Sequence, residues 1–346
     1  MSHPYLYILS FILLLSACVD GEEHADEVVD PAPPREMVAV SFSSVIGLAT
    51  KAGGEAAGVT ADTDPVLADD VQVIVYAYKE TAVGVPTAAP VASRTYKAAN
   101  GNGSLTESGS EGLMYLAAGK YCFYALSVNE NSQPPVLAEG SFSETGELTN
   151  NTDYIYCKTN ATISSTSGEE QEVLLSFSRL SVRIELKVVS EINGTDAGKA
   201  TEAATLVIKL AATDPVGSKI RLGADPVITS GRVPAAAVAN TGMTVTGTLA
   251  GGGFTAGCII LPMKAGQEIP VTITFPTITF DGLPQQKDKL YTLAITTPEG
   301  GFVSGNQYSY RVNITGNEVV FQGVTITGWK DKEGSMPDSD ITEDFM

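Results

Sequence analysis

Histidine is almost missing from this 346-residue chain: there are two, His3 and His24, and none from Met37 onward. A segment without imidazole has no side chain whose unperturbed pKa lies near neutrality. That excludes Ser-His-Asp and Cys-His catalysis, and nearly every zinc site, from the body of the chain. Positive charge is also short, 21 Lys and Arg against 40 Asp and Glu, for a net charge of −19. Such a polyanion repels phosphate backbones, which argues against nucleic acid as a partner. Helical spacing is scarce, with "VPAAAVAN" (233–240) the best short stretch. Phosphate chemistry finds no loop: "GTDAGKAT" (194–201) has three residues between its glycines and Ala200 where Ser or Thr must hold magnesium, so it reads as a turn. No G-x-S-x-G occurs. We expect no cofactor, no metal and no enzymatic activity; an enzyme here would need a carboxylate-only mechanism such as glycoside hydrolysis.

What is present starts at the N-terminus. Residues 5–17, "YLYILSFILLLSA", are too few to span a bilayer as a helix but suit the apolar core of an export signal. Leu15-Ser16-Ala17-Cys18 matches the bacterial lipobox, which implies signal-peptidase cleavage between Ala17 and Cys18 and a lipid on the Cys18 thiol. Two or three acyl chains, at about 0.8 kcal/mol per buried CH2, hold such a protein on a membrane. Residues 18–36 then form a linker with seven acids and three prolines, a composition that does not collapse. An acidic run at that place resembles the signal that sends some Gram-negative lipoproteins to the cell surface.

Beyond the linker the period is two. "MVAVSFSSV" (37–45) puts Val38, Val40 and Phe42 on one face, and "LSVRIELKVV" (180–189) puts Val182, Ile184, Leu186 and Val188 on one face. That is the pattern of strands with one buried face. Similar runs recur at 71–79, 120–128, 152–157, 204–210, 257–263, 271–280, 289–296, 308–315 and 319–329, separated by turns such as "AANGNGSLTESGSEG" (98–112). The chain reads as all-β, of sandwich type. An echo between Gly119–Tyr124 and Gly305–Tyr310, each a glycine before alternating aromatics, suggests two sandwiches, with those strands central. The polar stretch 164–172 separates them, which gives residues 37–172 and 173–329, followed by an acidic tail at 330–346. The aromatics of "YCFYA" and "YSY" read as core and cross-strand packing. Acids at Asp62, Asp64, Asp69 and Asp70, and at Asp338, Asp340, Glu343 and Asp344, read as solvated loop charge. Cys122 and Cys157 fall in neighbouring predicted strands: either they bridge in an oxidising compartment or they are two small buried hydrophobes. Cys258 is expected to stay free.

Taken in order, these features resemble the fimbrillin family, the type V pilins of Gram-negative anaerobes. The likeness is carried by the lipobox at Cys18, "GLATKA" (47–52), "AAGKYCFYA" (117–125), "SFSRLSVRIELKV" (176–188) and the closing run 305–329, which ends on Trp329, the sole tryptophan. It implies two tandem transthyretin-like β-sandwiches, exported as an outer-membrane lipoprotein and assembled with other fimbrial subunits into an adhesive surface fimbria. A host or bacterial surface receptor is the implied target. In the polymerising members a protease removes the segment through the first strand, and a strand from the next subunit fills the groove. Carried over, the cut falls after Lys51, where the family commonly has arginine; Arg35 is a second candidate, and a solvated strand-end lysine is the plain reading of Lys51. The donor strand is expected at "VVFQGVTITGW" (319–329) rather than in the tail. The other reading is a surface lipoprotein that does not polymerise: an anchor, a tip, or a module that binds glycan or host protein.

Overall fold

Period-two sequence yields strands because successive side chains leave a strand on opposite sides. The computed structural model describes residues 37–47, 66–80, 84–109, 112–165, 170–191, 198–211, 213, 217–225, 227–229, 241–316, 319–329 and 342–343, all within the compact unit Glu36–Met346. Among these the architecture is all-β, and the one helical element is a single 3-10 turn at Leu249–Gly251. The helical stretch expected at 233–240 lies outside the described residues.

The first half contains β1 (Met37–Ile46), β2 (Gln72–Lys79), β3 (Ala92–Ala99), β4 (Ser104–Glu107), β5 (Met114–Ala117), β6 (Gly119–Ser127), β7 (Ile155–Ile163) and β8 (Gln171–Arg179). They form one sheet in the order β4-β3-β2-β6-β7-β8-β1-β5, and β4 also pairs with β1, so the sheet closes on itself. The expected turn at 98–112 therefore contains a strand: "SLTE" is short and polar, and its pairing with β3 and β1 makes it one.

β2 and β6, and β7 over its first residues Ile155, Tyr156 and Cys157, are buried on both faces. Val73, Val75, Ala77, Phe123, Ala125 and Ile155 line the interior of the closed sheet. Ile74, Tyr76, Tyr78, Tyr124, Leu126 and Tyr156 form a second apolar layer outside it. Each tyrosine of that layer keeps its hydroxyl at the polar edge, as a buried tyrosine must. Tyr78 donates to Phe142 O at 2.6 Å, while Tyr76 and Tyr156 accept from the N–H groups of Leu137 (3.1 Å) and Gly223 (3.2 Å).

The second half contains β9 (Val182–Val189), β10 (Ala200–Ala203), β11 (Val207–Leu210), β12 (Lys219–Ile220), β13 (Ile228–Thr229), β14 (Thr241–Gly242), β15 (Thr244–Thr248), β16 (Gly253–Ile260), β17 (Glu268–Phe280), β18 (Gln286–Thr296), β19 (Asn306–Ile314), β20 (Val319–Gly328) and β21 (Thr342–Glu343). One sheet runs β15-β16-β9-β19-β20-β21; the other is organised on β17, which pairs with β10, β11 and β18. Their facing side chains, among them Ile184, Leu186, Phe254, Phe275 and Val312, make one core. The β12-β13 hairpin departs from this pair and lends Ile220 and Leu222 to the outer layer of the first half. Thr145 N–H donates to Ile220 O (3.0 Å), Leu222 N–H to Ser143 O (2.8 Å), and Arg221 Nε meets Glu144 at 3.3 Å.

The passage from one sheet system to the other falls at Leu180–Ser181, some residues beyond 172. β8 alternates as cleanly as β9, but its ladder is with β1 and β7, so "SFSR" (176–179) closes the first half instead of opening the second. The echoed aromatic strands are both central: β6 lies between β2 and β7, and β19 between β9 and β20.

Candidate functional site

β1 is first among the described strands and central in the sheet. Along one edge it runs parallel to β8, from Val40 opposite Gln171 to Ile46 opposite Phe177. Along the other it is antiparallel to β5 from Met37 opposite Ala117 to Val40 opposite Met114, and then to β4 at Phe42–Leu105 and Ser43–Ser104. Val38, Val40, Phe42, Val45 and Ile46 are all buried. The Phe42 ring meets Tyr96 and Phe123 edge-on, with centroids at 5.2 and 5.6 Å. At its C-terminal end Ser44 donates through both N–H (2.8 Å) and Oγ (2.9 Å) to Gly103 O, and Gly47 N–H donates to Phe177 O (2.8 Å).

Burial is worth about 1.5–3 kcal/mol for each such side chain, so five give roughly 7–15 kcal/mol. Ordering the ten residues of β1 opposes this with about 1–2 kcal/mol per residue for the backbone. The hold on β1 is thus a near balance, which a competing strand of the same alternation can tip. Gly103 is the tight point of this contact. Its φ is +80°, and a Cβ there would stand 2.3 Å from the Ser44 carbonyl oxygen. Gly103→Ala is expected to lower stability by about 1–3 kcal/mol, read as a lower urea midpoint, with the amides of β1 losing exchange protection first.

A second constellation sits at the end of β8. Val173, Leu175 and Phe177 point inward, and Arg179 continues their row, itself buried. Its Nε donates to Asp153 Oδ2 at 2.9 Å and Oδ1 at 3.3 Å, and its Nη1 donates to Trp329 O at 3.2 Å. The guanidinium carbon lies 4.5 Å from the Trp329 ring centroid. Asp153 also accepts from Asn129 Nδ2 (2.8 Å), and Trp329 N–H donates to Gly305 O (2.8 Å). The last residue of the first sheet thereby grips the residue that follows β20. Of this group the sequence reading singled out Trp329 alone, as the end of a motif. The signal it passed over is the charge of Arg179 at an inward position of an alternating strand, which requires a buried partner.

An open cleft of about 630 Å³ lies over the loop after β6, lined by Glu130, Pro135, Val136, Leu137, Glu147 and Tyr154 among others.

Ala17, Cys18, Arg35 and Lys51 lie outside the described residues. Cys122 and Cys157 do stand on adjacent strands, but the bridge between them is corrected: both are free. Cys122 pairs with Asn160 and Cys157 with Ala125, three positions out of step. An odd offset puts them on opposite faces of the sheet, Cys122 in the outer layer and Cys157 in the interior. Cys258 is also free and buried.

Burial pushes the Cys157 and Cys258 thiols from 9.0 up to about 12, and raises Cys122 as well. The folded pKa is raised, so the unfolded chain releases these protons first. The stability the thiols contribute is complete below about pH 9 and is lost as pH rises toward 12. Two results are expected: mapped peptides carrying Cys122, Cys157 and Cys258 stay unlabelled by a maleimide at pH 8 until denaturant is added, since the thiolate is the nucleophile; and the urea midpoint falls steadily above pH 9.

These features define a class: an all-β protein whose described residues form a closed sheet with its own interior, an outer apolar layer and a second sandwich core, and whose first described strand also closes the first sheet. The chain belongs to the fimbrillin-like family, whose model matches residues 59–329. Among solved structures it is similar to a putative cell adhesion protein from Bacteroides ovatus, at 15% identity and TM-score 0.55 over 86% of this chain and 100% of that one. It is also similar to one from Bacteroides uniformis, at 17% identity and TM-score 0.52 over 87% and 100%. At these identities the likeness shows the fold. No curated protein matches the chain.

Proposed function

We propose that the protein is a structural subunit of an adhesive surface fimbria. It is exported as an outer-membrane lipoprotein on Cys18 and assembled with other fimbrial subunits by removal of β1 and insertion of a donor strand. The observation that carries this reading is the place of β1: it has a ladder on both edges, an acidic linker before it and Lys51 five residues after its end. One cut after Lys51 would free it from the body, whereas a cut at Arg35, before β1, would remove only the linker and leave the strand attached. A sheet that has lost this strand offers unpaired N–H and C=O groups beside apolar slots, which an alternating strand fills. The two halves behave as tandem transthyretin-like sandwiches, each with its first strand parallel to a late one, β1 with β8 and β9 with β19.

A second reading is favoured by one observation. The expected donor, 319–329, is already committed: β20 pairs with β19 along its whole length, and Trp329 is gripped by Arg179. A subunit that keeps β20 in place is an anchor, a tip or a lipoprotein that does not polymerise, and the cleft beside Glu130 and Val136 is then the place for a ligand. Intact mass and N-terminal sequence of the protein from cells separate the two. A start at Ala52 supports the polymerising subunit with β1 removed; a start at Glu36 means release from the lipid with β1 kept, and a start at lipid-bearing Cys18 supports the second reading.

A further inference from the structure

We infer that Arg179 couples the seating of β1 to the hold on Trp329, so that a subunit grips its own C-terminal segment while its groove is filled and loosens it when the groove empties. This rests on the strand-exchange reading for its purpose, though the coupling is measurable without it.

The coupling follows from how β8 is held. Seven of its residues, Gln171–Phe177, face β1 in the parallel ladder, whereas β7 pairs with it only at Ile155–Arg179 and Tyr156–Ser178. Withdrawal of β1 removes the long ladder, together with the bond from Gly47 N–H to Phe177 O. It leaves β8 held by the ladder at its last two residues, one of them Arg179, and at its far end by the Gln171 side chain, which donates to Thr162 O (2.8 Å) and accepts from Ser164 N–H (3.2 Å). The side chain of Arg179 reaches Asp153 and the Trp329 carbonyl from a buried position. A buried charge-assisted contact tolerates little displacement, because its attraction only offsets desolvation when the geometry holds. Motion at the end of β8 therefore weakens the grip on Trp329, the residue from which 330–346 continue. Coupling between two sites is reciprocal, so loss of the Trp329 contact must loosen β1 by the same factor.

The chain carries its own reporter, since Trp329 is its one tryptophan. In the full chain, Val40→Asp puts a carboxylate into a fully buried slot of β1, and Phe42→Ala is the milder change. Both are expected to raise iodide quenching of Trp329 several-fold, while amides of 171–177 lose protection from exchange and the β17–β18 pairing keeps its own. The reciprocal variant, Trp329→Ala, is expected to speed exchange of the β1 amides by a similar factor. If β1 opens while Trp329 stays shielded, or if Trp329→Ala leaves β1 unchanged, the coupling is wrong. Should Val40→Asp fail to fold, shown by lost β17–β18 protection, Phe42→Ala in sub-denaturing urea decides the matter by the same two readouts. A synthetic peptide of residues 319–328, which carries no tryptophan, keeps the inference apart from the reading beneath it. Trp329 that answers to β1 in a protein that never takes up the peptide preserves the coupling and removes strand exchange. Uptake of the peptide with Trp329 indifferent to the state of β1 does the reverse.

Discussion

Phe42→Ala is expected to lower the stability of the folded body by about 3–5 kcal/mol, the range for deleting a fully buried phenylalanine. The upper part of that range applies, because the site cannot easily collapse. The ring is fenced by two other aromatics, Tyr96 and Phe123, and by the ladder to Leu105. The edge-on contacts add about 0.5–1.5 kcal/mol each beyond buried area, and the substitution loses both. Ser41→Ala is the control: it lies on the same strand with its side chain on the other face, and should stay within about 0.5 kcal/mol. Urea unfolding measures both. A loss under 1 kcal/mol for Phe42→Ala would mean that β1 contributes little to the closed sheet, which would remove the physical basis for its being the exchanged strand.

The strands were legible because period two needs no partner to be seen. Within "VQVIVYAYK" and "KYCFYALSV", Val73–Tyr78 and Tyr121–Leu126 are unbroken apolar runs, the mark of strands buried on both faces, although the sequence reading groups them with the period-two runs. Partnership was not legible. β8 and β9 are consecutive, equally alternating and joined by two residues, yet they serve different sheets, and only the ladders of β8 with β1 and β7 decide it. Register was hidden for the same reason. Cys122 and Cys157 are close in the fold, but an offset of three turns their side chains apart, and the loop between β6 and β7 gives no local sign of that offset. The short strand β4 was lost in a turn because four residues of "SLTE" carry too little pattern. Arg179 was half legible: its parity with Val173, Leu175 and Phe177 announces a buried cation, while Asp153 and Asn129 come from loops without periodicity, so its partners are known only from the fold.

That buried cation carries the other large effect. Asp153→Ala is expected to destabilise the protein by about 3–5 kcal/mol, because the Arg179 guanidinium stays buried without its carboxylate. Arg179→Met is expected to cost less than Asp153→Ala. Methionine brings no charge and can still pack on the indole, although Asp153 then keeps Asn129 and loses its cation. The informative quantity is the double variant Asp153→Leu with Arg179→Met. Exchange of the pair for two apolar side chains of similar volume is expected to be nearly neutral, since desolvation consumes most of what the charges gain. The stacking on Trp329 contributes about 0.5–2 kcal/mol that the double variant also gives up. A double variant that is as stable as the parent, but in which Trp329 quenching no longer follows β1, would separate the two roles of Arg179. Packing would then account for the fold, and the charge for the communication between β1 and the end of β20. A double variant that loses as much stability as Asp153→Ala would instead make the pair a plain structural element, with the rigidity of the joint between the halves as its whole effect.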